Sequence, residues 1–265
     1  MHVVVCVKQV WDPEFPSVSF KIDEDAGAVI PVPGLALVVS PYDEQAVEAA
    51  LRLRDAGVDL RLTILCYGPT SAEHTIRGVL ALGADEGILI VDETAESNDN
   101  AETATILAAA IRKIGNCDLV LTGRQAADTD AGVVGCGLAM ILDLPVITQA
   151  MEIQVSDRKV RAIRVLAEHL ETVEATLPAL VTVTHELGKP RYASLKETMR
   201  ARRKPMTRWT ISELGLSGGS TDAVRVVREK LFIPKRDRTC EFISGATAEE
   251  LAANLARRLF HEGLI

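Results

Sequence analysis

Residues 3–7 form an unbroken apolar run, mostly β-branched, with no polar position to turn toward water. This pattern predicts a strand covered on both faces. Predominantly apolar runs that also read as strands recur at 60–66, 88–91, 118–122 and 179–183. Between them, apolar residues fall at helical spacing. One such segment starts at Ser40, with Pro41 suited to the first helical position, and stops at Gly57. Others span 71–82, 98–114 and 131–142, the first two of these ending at Gly83 and Gly115. Strands alternating with helices predict an α/β fold with a doubly wound, mostly parallel sheet. After Pro145 the period changes to two, at 151–155, 159–165 and 171–175, which predicts a small antiparallel insert over about 150–176. Residues 20–23 and 28–30 read as an exposed hairpin turning near Gly27, and 195–203 as a short basic helix. Residues 1–204 are then one α/β domain. Residues 205–265 read as a C-terminal arm, with a Ser217–Ser220 linker and a last amphipathic segment at 248–259, where Leu251, Leu255 and Leu259 need a surface to bury them.

Composition narrows the functions open to such a fold. At 265 residues with 48% hydrophobic and 25% charged residues the chain is ordinary globular protein. A net charge of −8 argues against a general nucleic-acid binder, so the expected partners are small molecules or proteins. No run approaches the roughly 18 apolar residues of a membrane span, and residues 1–8 lack signal-peptide features, which makes cytoplasmic location the expectation. Cys6, Cys66, Cys117, Cys136 and Cys240 form no paired motif, and the five histidines show no metal-ligand spacing. Neither a catalytic nucleophile nor a metal site is expected. The cationic stretch Arg200, Arg202, Arg203 and Lys204 reads as a solvated helix face or as a contact for an acidic partner.

In a doubly wound sheet the ligand lies beyond the carboxyl ends of the strands. Those ends fall near Lys8, near Tyr67 and at 122–125. The last is the most informative, because Gly123, Arg124, Gln125, Ala126, Ala127, Asp128, Thr129, Asp130, Ala131, Gly132, Val133, Val134 and Gly135 join a buried strand to a helix. The turn either packs small residues closely or presents backbone amides from Ala131 to Val134 to a phosphate. Its two aspartates would repel a bare pyrophosphate and suit helix capping or hydroxyl recognition better. No GxGxxG, P-loop or GxSxG motif is present.

At 123–130, and again at Lys189, Pro190, Arg191, Tyr192, Ala193, Ser194 and Leu195, the chain resembles the beta subunits of electron transfer flavoproteins. The likeness extends to 6–10, 41–50, 83–85, 170–172 and 177–179, so it covers most of the chain. It implies a Rossmann-like fold of the adenine-nucleotide alpha hydrolase-like kind. It also implies a heterodimer with an alpha subunit carrying redox FAD, and a docking loop at about 185–197 for an acyl-CoA-type or other flavin dehydrogenase. The arm would pack on the partner subunit. Residues matching the family's adenylate pocket are Cys6, Ser40, Tyr67, Gly123, Gln125, Ala126, Asp128, Thr129, Asp130 and the turn Ala131, Gly132, Val133, Val134. Tyr42 matches a position beside the alpha-subunit flavin. Pro190, Arg191 and Tyr192 match the docking loop and Leu195 its apolar anchor. Members holding AMP carry Asn-Gln-Thr-Gly where this chain has Gly132-Val133-Val134-Gly135. Segments 101–110, 123–125, 232–234 and 249–251 look closer to the electron-bifurcating, nitrogen-fixation-type branch, which favours FAD over AMP in this subunit. A universal-stress-type nucleotide sensor and an ATP-using adenylating enzyme are the alternatives.

Overall fold

The computed structural model describes residues 1–16, 19–95, 99–216, 226, 229–234 and 240–265. The Ser217–Ser220 linker and Asn98 lie outside the described residues, as does part of 230–238, which reads in the sequence as a basic run within the arm. Thirteen strands occur in chain order: β1 (His2–Val7), β2 (Gln9–Trp11), β3 (Ile22–Asp23), β4 (Ala28–Val29), β5 (Leu37–Val39), β6 (Arg61–Gly68), β7 (Glu86–Val91), β8 (Leu119–Gly123), β9 (Val146–Ser156), β10 (Lys159–Val165), β11 (Leu170–Thr176), β12 (Ala179–Val183) and β13 (Met206–Thr210). The helices are α1 (Pro41–Asp55), α2 (Ala72–Leu82), α3 (Asn100–Ile114), α4 (Val134–Leu142), α5 (Leu195–Ala201) and α6 (Ala248–His261).

Nine strands form one sheet in the order β11-β10-β9-β12-β8-β1-β6-β7-β13. From β9 through β12 to β13 the neighbours run parallel, while β9, β10 and β11 pair antiparallel. The predicted α/β class and the antiparallel insert are both observed. The apolar strands sit where burial on two faces demands them: Val3, Val4, Val5, Leu119, Leu121 and Leu180 are essentially inaccessible. One core lies on the side of α1 and α2, and a second on the side of α3 and α4.

From β1 the chain winds outward through β6 and β7, then returns to place β8 on the other side of β1. The crevice between the carboxyl ends of β1 and β8 is therefore the topological switch point. Strand β9 serves both parts of the sheet by bending. Its register shifts against both β12 and β10, and Gln149 adopts φ +59° with its N–H donated to Thr182 Oγ1 at 3.0 Å. A bulge of this kind re-aims a long strand.

Two boundaries differ from the sequence reading. Helix α4 begins at Val134, three residues later than expected, because Asp130 and Gly132 take left-handed conformations (φ +50° and +66°) that a helix does not admit. Residues 206–210, assigned to the arm, form β13 and pair parallel with β7. Farther along, α6 is amphipathic as expected, and none of its residues is buried. Among the described residues no helix is long and apolar enough to cross a membrane.

The closest approach at the switch point is between α1 and the end of β8. A Cβ on Gly123 would fall 2.7 Å from Tyr42 Cβ and 2.8 Å from the Tyr42 carbonyl carbon. Backbone cannot yield as a flexible side chain does, so Gly123→Ala should cost about 3 kcal/mol. Urea denaturation checks this; an unchanged midpoint would show that α1 has room to move.

Candidate functional site

Ser40 precedes α1 and is fully buried, but it does not cap the helix with its side chain. Its N–H donates to Lys8 O at 2.9 Å, and its Oγ accepts the Ala127 N–H at 3.4 Å. The residue thus connects the end of β1 to the loop after β8. Asp43, in the first turn of α1, makes a second connection. Its Oδ2 accepts the Lys8 N–H at 2.8 Å and its Oδ1 the Gly123 N–H at 3.1 Å. Burial pushes this carboxyl up to about 7, against the lowering effect of the two backbone donors and the Lys8 ammonium.

The loop from Arg124 to Val133 folds over these anchors. Lys8 Nζ donates to Asp128 Oδ2 at 2.6 Å, and Gln125 Nε2 donates to Asp130 Oδ1 at 2.7 Å. Both loop carboxylates therefore face a donor from the protein itself. The Asp130 N–H donates to Ala126 O at 2.8 Å, closing a tight turn that leads through the exposed Thr129, Ala131, Gly132 and Val133 into α4. Val133 offers no side-chain cap, so the first-turn amides beginning at half-buried Val134 are left to a ligand or to water. Close by, a Cβ on Gly135 would lie 2.8 Å from Thr122 Oγ1 and 2.9 Å from Thr182 Cγ2. Among the described residues, the Thr122 hydroxyl is buried without a hydrogen-bond partner.

Tyr42 stands at the rim. Its hydroxyl accepts from Gln125 Nε2 at 3.4 Å, the Arg124 guanidinium lies 5.7 Å from its ring centre, and His185 meets it edge-on at 6.3 Å. Cys6 and Tyr67 lie deeper, within the core on the α3 side. Burial pushes the Cys6 thiol up, which keeps it neutral, and the Tyr67 hydroxyl donates to Asp92 Oδ2 at 2.5 Å. The structure thus gathers Ser40, Tyr42, Gly123, Gln125, Ala126, Asp128 and Asp130 around one crevice and sets Tyr67 across β1, on β6. Sequence reasoning placed a strand end near Lys8 but did not identify its contact with Asp128, and it missed Asp43 altogether.

The second group of sequence-identified residues follows β12. Arg191 is held inward: its Nε donates to Glu48 Oε2 at 2.8 Å and its terminal nitrogen to Asp55 Oδ2 at 2.6 Å. Glu48, on α1 and only 7% exposed at its side chain, also accepts Arg52 Nε at 2.9 Å, and Arg52 donates to Leu187 O at 2.6 Å. Burial opposes ionisation of Glu48, but the Arg191 and Arg52 guanidiniums hold it below the usual carboxylate range. With Pro190 half-buried, Tyr192 is 94% exposed, and Leu195, after a capping box made by Ser194 and Glu197, is 78% exposed. Leu195 and Met199 leave one face of α5 apolar beside Lys196, Arg200 and Arg203.

Comparison with known proteins decides the family. Residues 34–214 match the electron transfer flavoprotein domain. The chain belongs to the electron transfer flavoprotein beta subunit family. It is 35% identical, over the full length of both chains, to the caffeyl-CoA reductase–Etf complex subunit CarD of Acetobacterium woodii. It is 34% identical to the electron transfer flavoprotein subunit beta of Megasphaera elsdenii, with 88% of each chain covered. It is 31% identical to the protein FixA of Azorhizobium caulinodans over 97% of this chain and 95% of the relative. The family resemblance and the fold read from the sequence are thereby borne out.

The Glu48 network is testable without a partner. Glu48→Gln leaves Arg191 and Arg52 without their shared carboxylate, and because both guanidiniums reach solvent the cost should be about 2–3 kcal/mol, below that of a fully buried pair. The ionised form is favoured in the folded state. Its contribution is therefore complete above the ordinary glutamate value of 4.5 and lost on acidification below it. Denaturation at several pH values, together with amide exchange of residues 188–194, checks both statements; equal protection in the two proteins would separate Glu48 from the loop.

Proposed function

We propose that this chain is the beta subunit of a heterodimeric electron transfer flavoprotein, and that the crevice at the ends of β1 and β8 holds an adenine nucleotide, FAD in preference to AMP. The observation that carries the reading is the base of α4. There, uncapped first-turn amides stand near a buried hydroxyl without a protein partner, and Gly135 packs on that hydroxyl with no room for a Cβ. Backbone amides at a helix start suit a phosphate, and a lone buried hydroxyl suits a hydroxylated ligand or a water held with it. Of the loop aspartates, Asp128 is paired with the Lys8 ammonium, and Asp130 accepts from the Gln125 amide.

Ser40, Gln125, Ala126, Asp128, Thr129, Asp130 and the turn Ala131, Gly132, Val133, Val134 would line the nucleotide, with Cys6 and Tyr67 packed behind. Bound FAD would supply one- and two-electron chemistry, while the protein fixes its position and excludes water. Tyr42 would face the flavin of the alpha subunit. The preference for FAD, and for electron bifurcation, is supported by the sequence segments closest to that branch and by similarity to a caffeyl-CoA reductase–Etf subunit and to FixA. A non-bifurcating carrier with structural AMP is the second reading, favoured by nothing beyond the shared crevice. A universal-stress-type sensor would need neither the β9–β11 insert nor an exposed Tyr192 and Leu195.

Docking of a flavin dehydrogenase through Tyr192 and Leu195 accords with a loop clamped at Arg191 and apolar at its tip. The exposed Leu251, Leu255 and Phe260 of α6 suit an arm that packs on the alpha subunit.

The deciding experiment is a cofactor count on the chain co-purified with its alpha subunit, with nucleotides released by acid and resolved by chromatography. Two FAD per heterodimer support the proposal. One FAD with one AMP selects the plain carrier, and no nucleotide beyond the alpha-subunit flavin refutes the crevice assignment. Gly132→Asp should empty the crevice by placing a carboxylate, and a strained residue at φ +66°, in the phosphate turn. Leu195→Ala should leave cofactor content unchanged and slow flavin reduction by a dehydrogenase by roughly tenfold, the scale of a buried apolar anchor at an interface; unchanged reduction rates would remove Leu195 from the docking surface.

A further inference from the structure

The function proposed above gives no part to Asp43, yet its carboxylate has an unusual position. It is 7% exposed, and its oxygens are divided between two strands, one taking the Lys8 N–H and the other the Gly123 N–H. Those amides lie just beyond β1 and at the last residue of β8, the strands on either side of the crevice. Around the carboxylate the same two elements are tied again, by Ser40 between Lys8 O and the Ala127 N–H and by the Lys8 ammonium on Asp128. The loop that would line a nucleotide is thus built outward from Asp43.

An ionised carboxylate offers an acceptor on each oxygen to these two donors. Both partners are N–H donors, and a protonated acid or a side-chain amide would turn a donor of its own toward one of them. An apolar replacement would leave two buried amides unpaired.

We propose that ionised Asp43 is the positioning residue of the nucleotide crevice: it holds the ends of β1 and β8 at one separation, so the affinity of the 124–134 segment for nucleotide depends on its charge. The inference rests on the crevice assignment above and deepens it.

The dependence has a sign. The titratable groups electrostatically linked to Asp43 are the Lys8 ammonium just beyond β1, Asp128 in the loop, the Cys6 thiol of β1 and the Cys66 thiol of β6. Burial pushes both thiols up, Cys66 to about 12, so they stay neutral near pH 7. As pH falls through about 7, Asp43 takes up a proton, one oxygen becomes a donor, and the hold on one strand is lost. Nucleotide affinity should then fall.

The test measures FAD and, separately, AMP binding to the full chain by equilibrium dialysis across a pH series centred on about 7, with thermal melts at each pH as a folding control. Wild-type affinity should drop by roughly tenfold or more on the acid side, the scale of one hydrogen bond to a charged group. Asp43→Asn should be weak throughout and lack the step. Lys8→Gln keeps its backbone N–H and should retain the step, whatever its absolute affinity. A wild type that binds nucleotide with a flat profile overturns the positioning role and leaves the crevice assignment standing, and this arm needs no substitution, so it holds even where Asp43→Asn does not fold. A step lost in Lys8→Gln overturns it too, assigning the dependence to the ammonium. Binding of neither nucleotide at any pH overturns the crevice assignment, and the inference with it.

Discussion

Parallel strands that diverge at a switch point leave amides at their ends with no neighbouring strand to pair them, and in a buried place this is costly. Here that place is the gap beyond β1 and β8, and a single carboxylate, Asp43, pairs the N–H groups of both Lys8 and Gly123. Desolvation works against it, which is why its acid strength falls into the neutral range. The surrounding contacts follow from this one. Lys8 is placed by its backbone, so its ammonium reaches Asp128; Gly123 is placed by its backbone, so the loop leaves β8 toward Ala127 and Ser40. A crevice of defined width results from a hydrogen-bonding requirement of the sheet itself.

Helix α1 extends that order to a second region. Asp43 lies in its first turn, Glu48 and Arg52 in the next two, and Asp55 at its end. The latter three hold the segment carrying Arg191, Tyr192 and Leu195. At about 1.5 Å rise per residue, the step from Asp43 to Glu48 is roughly 7.5 Å along a stiff rod. Such a rod, braced on the sheet by Ala46, Val47 and Ala50, leaves little freedom between the crevice and the segment carrying Arg191. The stiffness between these two regions comes from one helix that carries carboxylates at both its first turn and its last.

The sequence displays this only in part, and the division is physical. Strands buried on both faces, such as Val3 to Val7, show themselves because every position is apolar. The start of α4 was displaced because Ala131, Gly132 and Val133 are as compatible with a helix as with a turn until Asp130 adopts its left-handed backbone. Strand β13 was hidden in the arm because Met206 to Thr210 is an edge, half-exposed and short, with Lys113 covering Trp209. Asp43 and Glu48 looked like ordinary acids of an amphipathic helix. Their meaning lies in partners 80 and 143 residues away, at Gly123 and Arg191, and local pattern carries no trace of that.

The loop between β8 and α4 presents an apparent contradiction, since a site read as phosphate-binding carries two aspartates and has no side-chain amide or hydroxyl at 131–134. The contacts resolve it. Asp128 and Asp130 are taken up by Lys8 and Gln125, and their role is to fold the loop. What remains for an anion is main chain: the amides at the start of α4, reached across Gly132 and seated against β8 and β12 by Gly135. Main-chain recognition depends on backbone course more than on side-chain identity. The residues that set this course are the small ones and the buried carboxylate, whereas main-chain recognition at the turn would place little demand on the side chains of Ala131, Val133 and Val134.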